Sequence, residues 1–81
     1  SNSTYQKALT ELGLSKNESA VYVAVLGLGI ATVTQIARAS QIKRTTTYSV
    51  LEALQLRGFV SVEAKGKYQR YIASHPETLS A

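Results

Sequence analysis

Three features of the sequence predict a mainly α fold with a small β-hairpin. Ser or Thr stands three residues before Glu or Gln at the start of successive helical patterns. The apolar period then shifts from helical to two after Gly58, and Lys65-Gly66-Lys67 separates the two alternating runs as a hairpin turn. At 81 residues and 44% hydrophobic content, the chain makes one small domain with a modest core.

The elements follow in order. "STYQKALTELG" opens with Ser3 and Gln6 at capping-box spacing, and Tyr5, Ala8, Leu9 and Leu12 recur at helical intervals. Gly13 can end this helix in a left-handed conformation. In "SKNE", Ser15 and Glu18 open a second helix whose apolar face is Ala20, Val21, Ala24, Val25 and Leu28, with Gly29 beyond its end. In "TVTQ", Thr32 and Gln35 open a short third helix that buries Val33, Ile36 and Ala37. Ser40-Gln41-Ile42 is a tight connection to a fourth helix, from about Lys43 to Arg57. The run "FVSVEAK" alternates through Val60, Val62 and Ala64, and "YQRYIAS" through Tyr68, Arg70 and Ile72. "SHPE" then reads as the start of a further helix, with Ser74 as cap, Pro76 in the first turn and Glu77 closing a box.

Two helices joined by a three-residue turn form a helix-turn-helix, and a basic-tipped hairpin after the second forms a wing. The architecture expected is therefore a winged helix-turn-helix over residues 4–73. Residues 1–3 resemble a tag remnant or a disordered N-terminus, and 74–81 look like a helix cut from a longer protein.

On the fourth helix, Thr47, Val50, Leu51 and Leu54 share the face that must pack on the core. The opposite face near the N-terminus carries Arg44, Thr45, Tyr48 and Ser49, with Gln41 just before it. Net charge is +4, and the excess is confined to residues 38–70, where seven Lys and Arg oppose Glu52 and Glu63. A polar reading face, a basic wing and localised positive charge together point to double-stranded DNA. In that setting Arg44 can fork onto guanine O6 and N7. The hydroxyls of Thr45, Thr46 and Ser49 can meet phosphates or base edges. Lys43 adds charge at the helix start. Thr34 stands where the preceding helix approaches the DNA backbone, and Lys65, Lys67 and Arg70 of the wing can hold flanking phosphate or enter the minor groove. The plainer alternative treats the threonines and the wing lysines as solvated residues, and Tyr48 as lying over a neighbouring helix.

Residues 12–73 carry the segments "LGLSKNESAVYVAVL", "ATVTQIARAS", "IKRTTTYSVLEAL" and "RGFV", and a wing ending in "YQRYIA". In order and spacing they resemble the N-terminal winged-helix domain of the TrmB family of transcription regulators. The resemblance implies promoter binding as a homodimer, a reading helix at Lys43 to Arg57, a basic contact at Arg44 and a family tyrosine at Tyr48. This sequence departs from the pattern at Lys43, where the family often has proline, and at Thr47, where an aliphatic residue is usual. A sugar or other small-molecule effector would act only through a region absent from this chain.

Catalysis finds little material: Asp and Cys are absent, and His75 is the single histidine. No zinc ligand set and no cofactor site can be assembled, and an enzymatic role is not expected. "GLGIAT" follows a helix and has Thr32 where a nucleotide fingerprint needs its third glycine. No apolar run is long enough for a membrane span, and the lack of cysteine suits a cytoplasmic protein. The competing readings are a winged helix used as a protein-interaction module and a DNA-tethering appendage of a larger protein.

Overall fold

The computed structural model describes residues 2–74. Four helices and three strands follow in the order α1 (Asn2–Glu11), α2 (Lys16–Leu28), β1 (Ile30–Ala31), α3 (Val33–Ser40), α4 (Arg44–Leu56), β2 (Val60–Lys65) and β3 (Tyr68–Ala73). This is the mainly α winged helix-turn-helix expected, with one addition. The hairpin is part of a three-stranded antiparallel sheet of order β1-β3-β2.

Local chemistry sets most of the boundaries. At α2 the Ser15 amide donates to Glu18 Oε1 at 2.8 Å and the Glu18 amide to Ser15 Oγ at 3.1 Å. At α3 the Thr32 amide donates to Gln35 Oε1 at 3.0 Å and the Gln35 amide to Thr32 Oγ1 at 3.4 Å. Each reciprocal pair satisfies two amides that a helix start leaves open. The first helix differs from expectation. It begins at Asn2, so Ser3 falls inside it rather than at its cap. Its end agrees: Gly13 takes φ +91°, which suits a residue without Cβ. The further helix expected from Ser74 lies outside the described residues, as do His75, Pro76 and Glu77.

The core gathers Leu9 from α1 and Leu14 from the loop after it, Val21, Tyr22 and Val25 from α2, Val33 and Ile36 from α3, and Leu51 and Leu54 from α4. Ala31, Phe59, Val60 and Tyr71 close it from the sheet side. The exposure of individual side chains refines the sequence reading. Ala8 is exposed, and Leu28 at the end of α2 is 42% exposed. On β3 the buried residue is Tyr71, whereas Tyr68 and Arg70 face solvent. The register explains this. Val60 pairs with Ala73 and Val62 with Tyr71, and residues opposite each other in an antiparallel pair share a face. The turn contains only Gly66 and Lys67, because Lys65 pairs with Tyr68 as a ladder residue. That one-residue difference reverses the side of β3 that faces inward.

Two long-range ties hold the wing's base. The Tyr22 hydroxyl donates to the Ser74 carbonyl at 2.7 Å, and the Ser74 amide to the Phe59 carbonyl at 2.7 Å. Tyr22 and Phe59 also meet edge to face at 5.5 Å between ring centroids. Arg57 clasps the α1–α2 loop, donating to the carbonyls of Leu12 at 3.1 Å and Gly13 at 3.3 Å. Its guanidinium also lies 3.7 Å from Glu18 and over the Phe59 ring at 5.5 Å.

Arg57→Ala should therefore lower the unfolding free energy by about 1–2 kcal/mol, measured by urea denaturation. Ser19 tests the opposite direction. Its side chain is buried on α2, and Oγ has no hydrogen-bond partner among the described residues. Ser19→Ala removes that unsatisfied hydroxyl and should leave stability unchanged or raise it by up to about 1 kcal/mol in the same assay.

Candidate nucleic-acid interface

The helix-turn-helix is built from α3, the connection Gln41–Lys43 and α4. Gln41 makes the turn possible by adopting φ 60° and ψ 36°, the left-handed region, while its amide donates to the Ala37 carbonyl. Among described residues it is the one non-glycine with positive φ. A side chain in that conformation costs about 1–2 kcal/mol relative to glycine. Ile42 then packs against the core cluster, and its amide also bonds Ala37.

The rotation of α4 follows from its buried residues. Thr47, Leu51 and Leu54 are each 0% exposed. Thr47 was expected in the core, and its hydroxyl solves the problem of being there. Oγ1 donates within reach of two carbonyls, Lys43 at 2.9 Å and Ile42 at 3.3 Å, so the buried polar atom is satisfied. With that stripe inward, Thr45 and Ser49 stand one turn apart on the far side, both exposed. Glu52 continues the same side and is also exposed.

Arg44 and Tyr48 form the adjacent stripe, on the flank toward the wing. The Arg44 guanidinium lies over the Tyr48 ring at 5.6 Å from its centroid, a cation–π pair at the protein surface. Tyr48 itself is 43% exposed. Thr46 is half-buried on the other flank, while Lys43 and Gln41 are exposed at the helix start. Lys43 is the N-cap residue and supplies no side-chain capping bond, unlike Ser15 and Thr32 on the preceding helices.

Across from this flank lies the wing. Between α4 and the wing runs a cleft of about 530 Å³, bordered by Thr32, Arg44, Tyr48, Lys67, Tyr68 and Tyr71 among others. Tyr71, a buried member of the lining, donates from its phenol to Gln69 Oε1 at 3.4 Å. Burial pushes the Tyr71 phenol above its ordinary pKa, with Tyr48 and Glu52 nearby acting in the same direction. It therefore stays protonated at neutral pH and remains a hydrogen-bond donor.

The structure brings Gln41, Lys43, Arg44, Thr45, Tyr48 and Ser49 onto one exposed end of the helix-turn-helix, with Lys67 facing Arg44 across the cleft. Thr34 is exposed in the first turn of α3. Arg70 is exposed on β3 opposite Glu63, a cross-strand position that places an acid beside it. Lys65 is the last residue of β2, opposite Tyr68. Sequence reasoning did not find the cleft. Thr32, Tyr68 and Tyr71 lie far from Arg44 in the chain, and the available signal was the tyrosine pair in "KYQRY", interleaved with Lys67 and Arg70.

Residues 9–77 match the family described as sugar-specific transcriptional regulator TrmB. The chain belongs to the TrmB family. Similar proteins include the DNA-binding HTH-type transcriptional repressor TrmBL2 of Thermococcus kodakarensis, 35% identical over 66 residues, which covers 82% of this chain and 25% of that protein. The HTH-type sugar sensing transcriptional regulator TrmBL1 of Pyrococcus furiosus is 36% identical over 69 residues, covering 85% of this chain and 20% of that protein. This TrmB-family chain thus spans about a quarter or less of those relatives. Among solved structures, that of TrmBL2, described as an archaeal chromatin protein with a novel mode of DNA binding, superposes with a TM-score of 0.83. The identity is 30%, over 99% of this chain and 30% of that one. The fold is also shared with BpsR of Bordetella bronchiseptica, at TM-score 0.75 and 18% identity over 90% of this chain and 54% of that one.

Gln41→Gly probes the turn directly. Relief of the left-handed side chain, partly offset by the greater freedom of glycine in the unfolded chain, should raise stability by up to about 1 kcal/mol in thermal melts.

Proposed function

We propose that this TrmB-family chain binds double-stranded DNA and acts in transcription regulation, with α4 entering the major groove. One observation carries the reading. The N-terminal half of α4 presents a guanidinium, hydroxyls and a phenol, while its apolar stripe is sealed in the core. Only short polar side chains project at the apex, at Thr45 and Ser49, so the helix axis can come close to base edges. Gln41 and Lys43 flank that apex at the helix start. Thr34 on α3 faces the adjoining backbone, as the first helix of such a motif does. Lys67, with Arg70, extends positive charge along the wing toward the neighbouring phosphates or the minor groove, and Lys65 at the end of β2 is the third wing cation in the sequence.

The alternatives fare less well on the same surface. A protein-docking winged helix would present an apolar patch on this face, and here the exposed end of α4 is polar and cationic. An enzymatic role has no support in the family relatives, which are named as transcription regulators. No helix among the described residues is long and apolar enough to cross a membrane. Pairing as a homodimer would set two α4 helices on half-sites about 10 bp apart, or a multiple of that.

The test is a fluorescence-anisotropy titration against a random-sequence duplex and against a duplex selected by the protein from a random library. Affinity for both should fall with salt, by about 0.9 in log–log slope per phosphate neutralised. Thr45→Ala combined with Ser49→Ala should cut the preference for the selected duplex by about tenfold while leaving random-duplex affinity within about twofold. Absence of any salt-dependent duplex binding by the wild type would sink the reading.

A further inference from the structure

The cleft between α4 and the wing is not needed for a helix that simply reads one groove, yet its composition is selective. Arg44 borders it on the helix side and Lys67 on the wing side, with Tyr48, Tyr68 and Tyr71 between them. No carboxylate is among its lining residues. Neither cation forms a hydrogen bond or ion pair to another described residue. Arg44 is nonetheless not a free arm. Tyr48 lies one turn on along the same stripe, and the Arg44 guanidinium carbon stands over its ring at 5.6 Å from the centroid. Tyr68 is 64% exposed at the cleft's outer edge, a flat apolar surface with a polar tip.

We propose that this cleft is a binding site for one phosphodiester of the DNA backbone, the link between the groove occupied by α4 and the groove approached by the wing. Arg44 and Lys67 donate to its non-bridging oxygens from opposite walls, and Tyr68 packs on the adjoining deoxyribose. Tyr48 is a positioning residue that fixes Arg44 before DNA arrives, reducing the side-chain entropy lost on contact. The inference rests on the DNA-binding reading and sharpens it. Arg44 belongs to the backbone contact, so base discrimination falls to the neighbouring stripe, Thr45 and Ser49, which points away from the cleft. Two cations that serve one phosphate also predict a shared effect where independent contacts would add.

The experiment uses the same selected and random duplexes over a salt series, with circular-dichroism melts confirming that each variant folds as the wild type does. Arg44→Ala should weaken both duplexes by the same factor and leave their ratio unchanged. Because Lys67 still neutralises the phosphate in that variant, the full loss of salt slope, about 0.9 in total, should appear only when Lys67→Ala is added. Tyr48→Phe should retain wild-type binding, whereas Tyr48→Ala should reproduce part of the Arg44→Ala loss with the ratio intact. A scan of single neutral methylphosphonates through the selected duplex should find one position that weakens the wild type but has no effect on the Arg44→Ala, Lys67→Ala double variant. The assignment is overturned if Arg44→Ala abolishes the preference while random-duplex affinity holds, since Arg44 would then read a base. It is also overturned if the two substitutions lower the slope in separate steps of about 0.9, which would mean two phosphates. Failure of the wild type to bind any duplex would remove the DNA-binding reading itself, a result that neither of those outcomes resembles.

Discussion

Everything on the exposed side of this molecule depends on how α4 is rotated about its own axis. Thr47, Leu51 and Leu54 have no accessible surface, and they lie on the stripe of the helix that packs toward α2 and α3. A helix has only one inward direction. Once that stripe is fixed, Thr45 and Ser49 must project outward, and Arg44 with Tyr48 must lean toward the wing. Turning the helix by even one residue position would bury a hydroxyl and expose a leucine. Each such exchange works against the roughly 1.5–3 kcal/mol gained by fully burying a large apolar side chain. The core therefore specifies the exposed surface of α4, although it shares no residue with the apex of that surface.

Holding the axis is a second task, divided between the ends of the helix. At the N-terminal end the turn is tightened by Gln41 in the left-handed region and by Ile42 packed on the core. At the C-terminal end Arg57 joins the helix to the α1–α2 loop, to Glu18 and to Phe59. The same Glu18 closes the cap of α2. One carboxylate thus couples the start of α2 to the end of α4, and Tyr22 couples α2 to the exit of the wing through Ser74. The bonds from Tyr22 to Ser74 and from Arg57 to Leu12 and Gly13 each span more than forty positions of sequence. They make the relative placement of α4 and the wing a property of the whole domain, so the width of the cleft between them is set far from its walls.

The parts legible in the sequence were those written in local chemistry. Both capping boxes are spelled out within four residues, as is the positive φ of Gly13, and the burial of Thr47 follows from its place on the helical wheel. The errors have equally specific causes. β1 is two residues long, too short to show a period, and exists because Ala31 finds Tyr71 across the sheet. The inward face of β3 could not be read because "YQRYIA" carries an aromatic residue at either parity, Tyr68 or Tyr71, and only the two-residue turn at Gly66 and Lys67 selects between them. Arg57 counted as part of a free basic surplus, but its partners are two carbonyls and a carboxylate from the other end of the domain. The exposed end of α4 was readable because it lies on one helix. The cleft was not, because its walls meet only in three dimensions.

The run Thr45-Thr46-Thr47 shows how these levels combine. β-branched residues in succession weaken a helix by a few tenths of a kcal/mol each. In return the three hydroxyls divide by position: Thr47 goes inward and bonds carbonyls of Lys43 and Ile42, Thr46 sits half-buried on a flank, and Thr45 stands exposed at the apex. The inward hydroxyl ties the first turn of α4 to the residues just before it, at a start where Lys43 provides no side-chain cap. Proline, the residue the family often has at that place, would stiffen the entry through its ring. Here a lysine keeps a positive charge at the entry, and the buried threonine supplies part of the rigidity from within the helix. The weak helix formers are thus tolerated because one of them braces the turn while another leaves the apex short, polar and close to whatever approaches it.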